Sequence, residues 1–155
     1  MGAIALVGGD EFRQDCIPMD KELLRRIPSR QPRVVILPTA AAQQRPHLAA
    51  QNGIRYFQEL GAIATSAMVL DRNDADDHRY VDQLKQADLL YITGGDPWCL
   101  QETLRESEVA ITIKEMKERD VVIAGSSAGA MVLGEKMRSG RDKNWIQGLD
   151  LVPGT

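Results

Sequence analysis

The chain has 155 residues, 43% hydrophobic and 26% charged, with a net charge of −3 at pH 7, which is enough for one domain with its own core and no more. The acidic balance excludes the basic footprint of a nucleic-acid binder, and the N-terminal run Ala3–Val7 is too short for a signal or a membrane span. Cys16 and Cys99 stand in no pattern that reads as a disulfide scaffold or a zinc site, so a cytoplasmic protein with no membrane or nucleic-acid partner is expected.

Ala3–Val7 reads as a first strand, closed by Gly8-Gly9-Asp10, whose spacing lacks the G-x-G-x-x-G of a dinucleotide loop. Leu23, Leu24 and Ile27 recur at helical spacing between Pro18 and Ile27. Arg33–Leu37 is a second strand, stopped by Pro38-Thr39-Ala40, and a helix from Pro46 to Leu60 ends at Gly61. Ile63–Leu70 reads as strand three. Asp74-Ala75-Asp76-Asp77 then opens a helix whose acids suit its N-terminal dipole. That dipole explains the acids beside His78 better than a metal site does. Asp88–Ile92 is strand four, followed by Thr93-Gly94-Gly95-Asp96-Pro97 and a helix Trp98–Arg105; another helix covers Glu108 to Lys117.

Val121–Ala124 is the fifth strand, and it runs into Gly125-Ser126-Ser127-Ala128-Gly129, a G-x-S-x-G followed by the helix-friendly Ala130–Glu135. Strand, sharp turn and helix are the context that a nucleophile elbow requires. A serine thrust out of so tight a turn crowds its neighbours, so the positions two before and two after it must be very small. Residues 138–144 read as a polar loop, and Trp145–Gly154 as a short apolar patch between turn signals. Strands alternating with helices at this spacing predict a doubly wound α/β domain over residues 1–155, its mostly parallel sheet covered by helices on both faces. The carboxyl ends of the strands, where ligands gather in such sheets, would collect Gly8-Gly9, Pro38-Thr39, Gly94-Gly95-Asp96 and Ser127 along one edge.

A serine hydrolase needs a nucleophile, a base, a group that orients the base, and an oxyanion hole. Ser127 supplies the first. The N–H of Ala128 and an N–H of the Gly94-Gly95 loop supply the hole. The base is not legible: the two histidines, His47 and His78, both fall in the first turns of helices.

Gly94-Gly95-Asp96 at a strand end, about thirty residues before Ala124–Ala130, resembles the dipeptidase E and cyanophycinase family of serine peptidases, whose fold is like that of class I glutamine amidotransferases. Val7-Gly8-Gly9 and Gly148-Leu149-Asp150-Leu151-Val152-Pro153-Gly154 match its pattern too. The resemblance implies a Ser-His-acid triad with Ser127 as nucleophile, an oxyanion hole from Gly95 and Ala128, and substrate contacts at Gly94 and Asp96. It also implies a substrate that is a short peptide, or an acidic or isoaspartyl one, with no metal or cofactor and with a homodimer as the family's assembly. Pro97 stands where several members carry glutamine, which bears on substrate preference. The family's catalytic histidine lies beyond the Gly148–Gly154 segment, so the resemblance makes this chain the N-terminal three-quarters of the family's domain. The alternative reading is a non-catalytic amidotransferase-like module that holds a small ligand at the same edge.

Overall fold

The computed structural model describes residues 2–155. Five parallel strands form the sheet: β1 (Ile4–Val7), β2 (Arg33–Leu37), β3 (Ile63–Ser66), β4 (Leu89–Ile92) and β5 (Val122–Ser126), in the order β1-β5-β4-β2-β3. All-parallel pairing demands crossovers on the faces, and the strands buried between them read as unbroken apolar runs. The residues of β2, β4 and β5 alternate strictly between two cores. Val34, Ile36, Leu89, Tyr91, Val122 and Ala124 pack on one face; Val35, Leu37, Leu90, Ile92 and Ile123 pack on the other. This is the period-two pleat expressed on three strands covered on both faces, while the edge strands β1 and β3 stay partly exposed.

The first face is covered by α1 (Ile17–Arg25) and α2 (Pro46–Glu59), through Leu23, Tyr56 and Phe57. The second is covered by α3 (Arg72–Ala75), α4 (His78–Lys85), α5 (Pro97–Leu104), α6 (Glu108–Glu118) and α7 (Ala128–Leu133). The doubly wound α/β architecture is therefore present. Truncating a fully buried member of this core, such as Leu100 or Ile113, costs about 2–5 kcal/mol.

Three elements differ from the sequence expectation. The helix expected to open at Asp74 is two helices. Asp71 caps α3 by accepting from the Asp74 N–H, and Asp77 caps α4 by accepting from the Arg79 N–H, so α4 itself has no acid in its first turn. The acids serve as caps at specific N–H groups, where a general dipole argument spreads them over one longer helix. Strand three stops at Ser66 instead of Leu70, because its neighbour β2 ends at Leu37 and the ladder has no further partner. The C-terminal region, expected as polar loop and apolar patch, forms an antiparallel hairpin of β6 (Lys136–Arg138) and β7 (Trp145–Gln147). Only Met137 is buried in β6, and a three-residue alternation is too short to recognise in sequence.

The register sets the site. Val7 pairs with Ser126, Ile92 with Gly125, and Leu37 with Ile92. The ends of β1, β5, β4 and β2 are therefore level, and the loops that follow them lie along one edge. No described helix is long and apolar enough to cross a membrane.

Candidate active site

β5 ends at Ser126 and α7 begins at Ala128, so Ser127 makes the turn alone. Its backbone sits at φ 51°, ψ −112°. A β-carbon is strained there, and such strain persists only where the surroundings hold it, as at a nucleophile elbow. Residues on both sides of Ser127 are buried while Ser127 itself is exposed. A Cβ on Gly125 would overlap the Gly129 carbonyl, and one on Gly129 would overlap the Ile92 carbonyl at the end of β4. The smallness that the motif requires thus has a direct cause on each side of the serine.

Accounting for the backbone N–H groups locates the free donors. The Ser127 N–H donates to Val7 O at 2.9 Å, and Ser127 O accepts from the Met131 N–H at 2.9 Å. The Ala128 N–H, first in α7, has no partner among the described residues. The β4–α5 loop repeats the arrangement. The Gly94 N–H donates to Glu11 Oε1 at 3.0 Å, and the Asp96 N–H donates to Ala40 O at 2.7 Å. The Gly95 N–H between them is free among the described residues. Gly95 sits at φ 148°, and a Cβ there would overlap the Ala40 carbonyl, so only glycine fits. The two loops abut: a Cβ on Gly94 would lie 3.3 Å from Ser127 Cβ. Each loop offers one uncommitted donor beside one exposed hydroxyl, the parts of an oxyanion-stabilising nucleophile site.

Ser127, Gly94 and Gly95 lie in a cleft of about 680 Å³. Its walls are the loop after β1, with Asp10 and Glu11, and the start of α2, with Arg45, Leu48 and Asn52. Asp10 pairs with Arg13 at 3.4 Å, and both Glu11 oxygens are engaged, Oε2 accepting from Ser126 Oγ at 2.8 Å. Arg45 is exposed and forms no ion pair among the described residues.

Of the residues expected at the site, Ser127, Gly94 and Gly95 come together, with Ala128 buried at the start of the helix that Ser127 precedes. Asp96, expected as a substrate contact, does not line the cleft. Its Oδ1 accepts from the Trp98 and Cys99 N–H groups at 2.8 and 3.1 Å and caps α5. His47 and His78 are exposed and outside the cleft lining. Cys99 is buried, and that burial foremost, with the nearby Asp96 charge, pushes its thiol above the usual range. Burial likewise pushes the Tyr91 phenol up, helped by the Asp20 and Glu11 charges. Sequence reasoning missed Glu11 and Arg45. No local motif marks either, because the partners of Glu11 lie 83 and 115 residues away.

A family model described as peptidase family S51 matches residues 4–155. Among curated proteins, the chain is 27% identical over 124 residues to the uncharacterized peptidase YgaJ of Bacillus subtilis, covering 80% of this chain and 52% of that protein. It is 28% identical over 109 residues to a cyanophycinase of Geminocystis herdmanii, covering 69% of this chain and 39% of that protein. The chain thus spans about half the length, or less, of these relatives. Among solved structures, a peptidase from an acI-B1 Actinobacterium superposes with a TM-score of 0.90 at 30% identity, over 98% of this chain and 65% of that one. A putative peptidase E of Listeria monocytogenes shares the fold at a TM-score of 0.72 and 19% identity, over 98% of this chain and 76% of that one.

Proposed function

The chain belongs to peptidase family S51, and from that premise we propose that Ser127 is the nucleophile of a serine-type peptidase that cleaves short acidic or isoaspartyl peptides through an acyl-enzyme. The observation that carries the reading is the pairing of an exposed Ser127 at φ 51° with one free N–H on each flanking loop. Ser127 Oγ attacks the scissile carbonyl, its proton passing to a base, and the carbonyl oxygen becomes the oxyanion received by the Gly95 and Ala128 N–H groups. Collapse of this intermediate expels the amine, and water releases the acyl group. The family resemblance gives the base as a histidine. His47 and His78 both lie outside the cleft lining.

Acidic specificity draws on Arg45. The acidic side chains on the cleft wall have partners within the chain, Asp10 in Arg13 and Glu11 in Gly94 and Ser126, while the Arg45 guanidinium, with no ion pair among the described residues, is offered to a substrate carboxylate.

A second reading takes the same cleft as a ligand-holding module without turnover, with Ser127 and the Gly95 N–H as ligand contacts. Fluorophosphonate labelling of the full-length protein separates the two. We expect stoichiometric labelling that Ser127→Ala abolishes, and turnover of acidic dipeptides lowered in that variant by on the order of 10⁴-fold or more. A protein that binds acidic peptides but resists acylation belongs to the second class.

A further inference from the structure

The loop after β1 carries a residue that neither the motif nor the nucleophile reading assigns. Glu11 is flanked by Asp10 at φ 56° and Phe12 at φ 64°, two non-glycine residues in the left-handed region. Phe12 fixes the loop from below, its ring packed 4.9 Å from Tyr91, 5.6 Å from Tyr56 and 6.2 Å from Phe57, centroid to centroid. A backbone strained on both sides of one residue and anchored by its neighbour is a device for aiming that residue. Glu11 is aimed at the meeting of the two donor loops: Oε1 accepts from the Gly94 N–H at 3.0 Å, and Oε2 accepts from Ser126 Oγ at 2.8 Å. Ser126 is fully buried and immediately precedes the nucleophile.

The geometry assigns Glu11 the role of positioning residue for the oxyanion hole, a proposal that rests on Ser127 being the nucleophile. One carboxylate clamps the β4 loop to the β5 elbow. Holding the Gly94 N–H fixes the Gly94–Gly95 segment on its upstream side, as Ala40 O fixes it downstream through Asp96. The peptide between these two tethers presents the free Gly95 N–H beside Ser127. Charge-assisted hydrogen bonds suit the task because they are short and directional. Glu11 touches no reacting atom; it sets the distance at which one donor meets the oxyanion, a quantity on which rate depends steeply.

Three variants of the full-length protein test this, each read by kcat and KM on an acidic dipeptide, fluorophosphonate labelling rate, and amide exchange of the 93–97 segment. Glu11→Ala should lower kcat and labelling by on the order of 10²-fold with little change in KM, and should speed exchange of the Gly94 amide by about tenfold. Glu11→Gln keeps an acceptor for Gly94 and offers its amide N–H to Ser126 Oγ, so it should retain kcat to within roughly tenfold. Ser126→Ala removes one tether and should fall between wild type and Glu11→Ala. It also serves as the deciding variant where Glu11→Ala does not fold. Unchanged kcat and unchanged exchange in Glu11→Ala and Ser126→Ala overturn the proposal. So does a Glu11→Gln protein as impaired as Glu11→Ala, because the charge itself and not the clamp would then be at work. A wild-type protein that is never labelled defeats the nucleophile reading alone, and the exchange data still decide whether Glu11 holds the loop.

Discussion

The two loops that present free N–H groups to the cleft reach the same outcome by different routes. The β5 elbow is held in part by its own turn, Ser127 O accepting from its own helix and Gly125 meeting Gly129, besides the β1 carbonyl that takes the Ser127 N–H, the end of β4 and the Glu11 carboxylate on Ser126. The β4 loop is held by outsiders, Glu11 from the β1 loop and Ala40 from the turn after β2, with Asp96 capping the helix that follows. An element built on local sterics tolerates little change at a few positions. One built on borrowed contacts is adjustable, and its failure costs function before it costs the fold.

That contrast can be broken at its stiff end first. Gly129→Ala drives a methyl into the Ile92 carbonyl, so we expect destabilisation of about 3 kcal/mol or failure to fold, read by urea unfolding. A variant of wild-type stability would show that the elbow relaxes freely. At the other loop, Gly95→Ala drives a methyl into the Ala40 carbonyl from a backbone at φ 148°, so it should cost about as much stability and, where it folds, lower kcat by about 10²-fold. A folded Gly95→Ala protein of wild-type kcat would take the Gly95 N–H out of the oxyanion hole.

Specificity sharpens the comparison on the opposite wall. Arg45→Ala should raise KM for acidic dipeptides by about tenfold or more, leaving neutral peptides and stability unchanged; a uniform loss over all peptides would count against an ionic contact. The smallest effect concerns the support beneath β4. Asp20 is fully buried, accepts from Tyr56 Oη at 2.6 Å, and has its second oxygen without a partner among the described residues. Burial foremost raises its pKa, and the Tyr56 hydrogen bond partly offsets that rise. The native state therefore holds a proton that the unfolded chain has already lost, so stability falls as pH climbs from the ordinary carboxylate range through the raised value. Unfolding free energy measured across that window should decline in the wild type, and the decline should vanish in Asp20→Asn. An identical slope in both proteins would place the titration elsewhere.

The same division between local and borrowed support runs through what the sequence disclosed. Strand positions, the two-faced winding and the strained serine were legible because each follows from residues within a few positions of one another. β-Branched apolar runs bury on both faces, and Gly125 and Gly129 are small because Ser127 turns between them. Of the paired caps, Asp77 was among the acids read at the helix start and Asp71 was not, and which N–H each would meet was not legible. The β6–β7 hairpin escaped notice because its strands are three residues each and its one buried side chain there, Met137, takes its burial from α7 and the core beyond.

By itself, then, the sequence determined the α/β winding, the edge at which the loops gather, and the serine that stands on it, since backbone sterics and hydrophobic period act over short spans. Tertiary structure alone decided which groups hold the Gly94–Gly95 loop, that Asp96 Oδ1 caps α5, and that Arg45 on the cleft wall forms no ion pair among the described residues. Those outcomes depend on which strand ends lie side by side, and level register across β1, β5, β4 and β2 brings Glu11 to a glycine 83 residues away. No local pattern encodes such a meeting, because the hydrogen bond exists only once the sheet has formed.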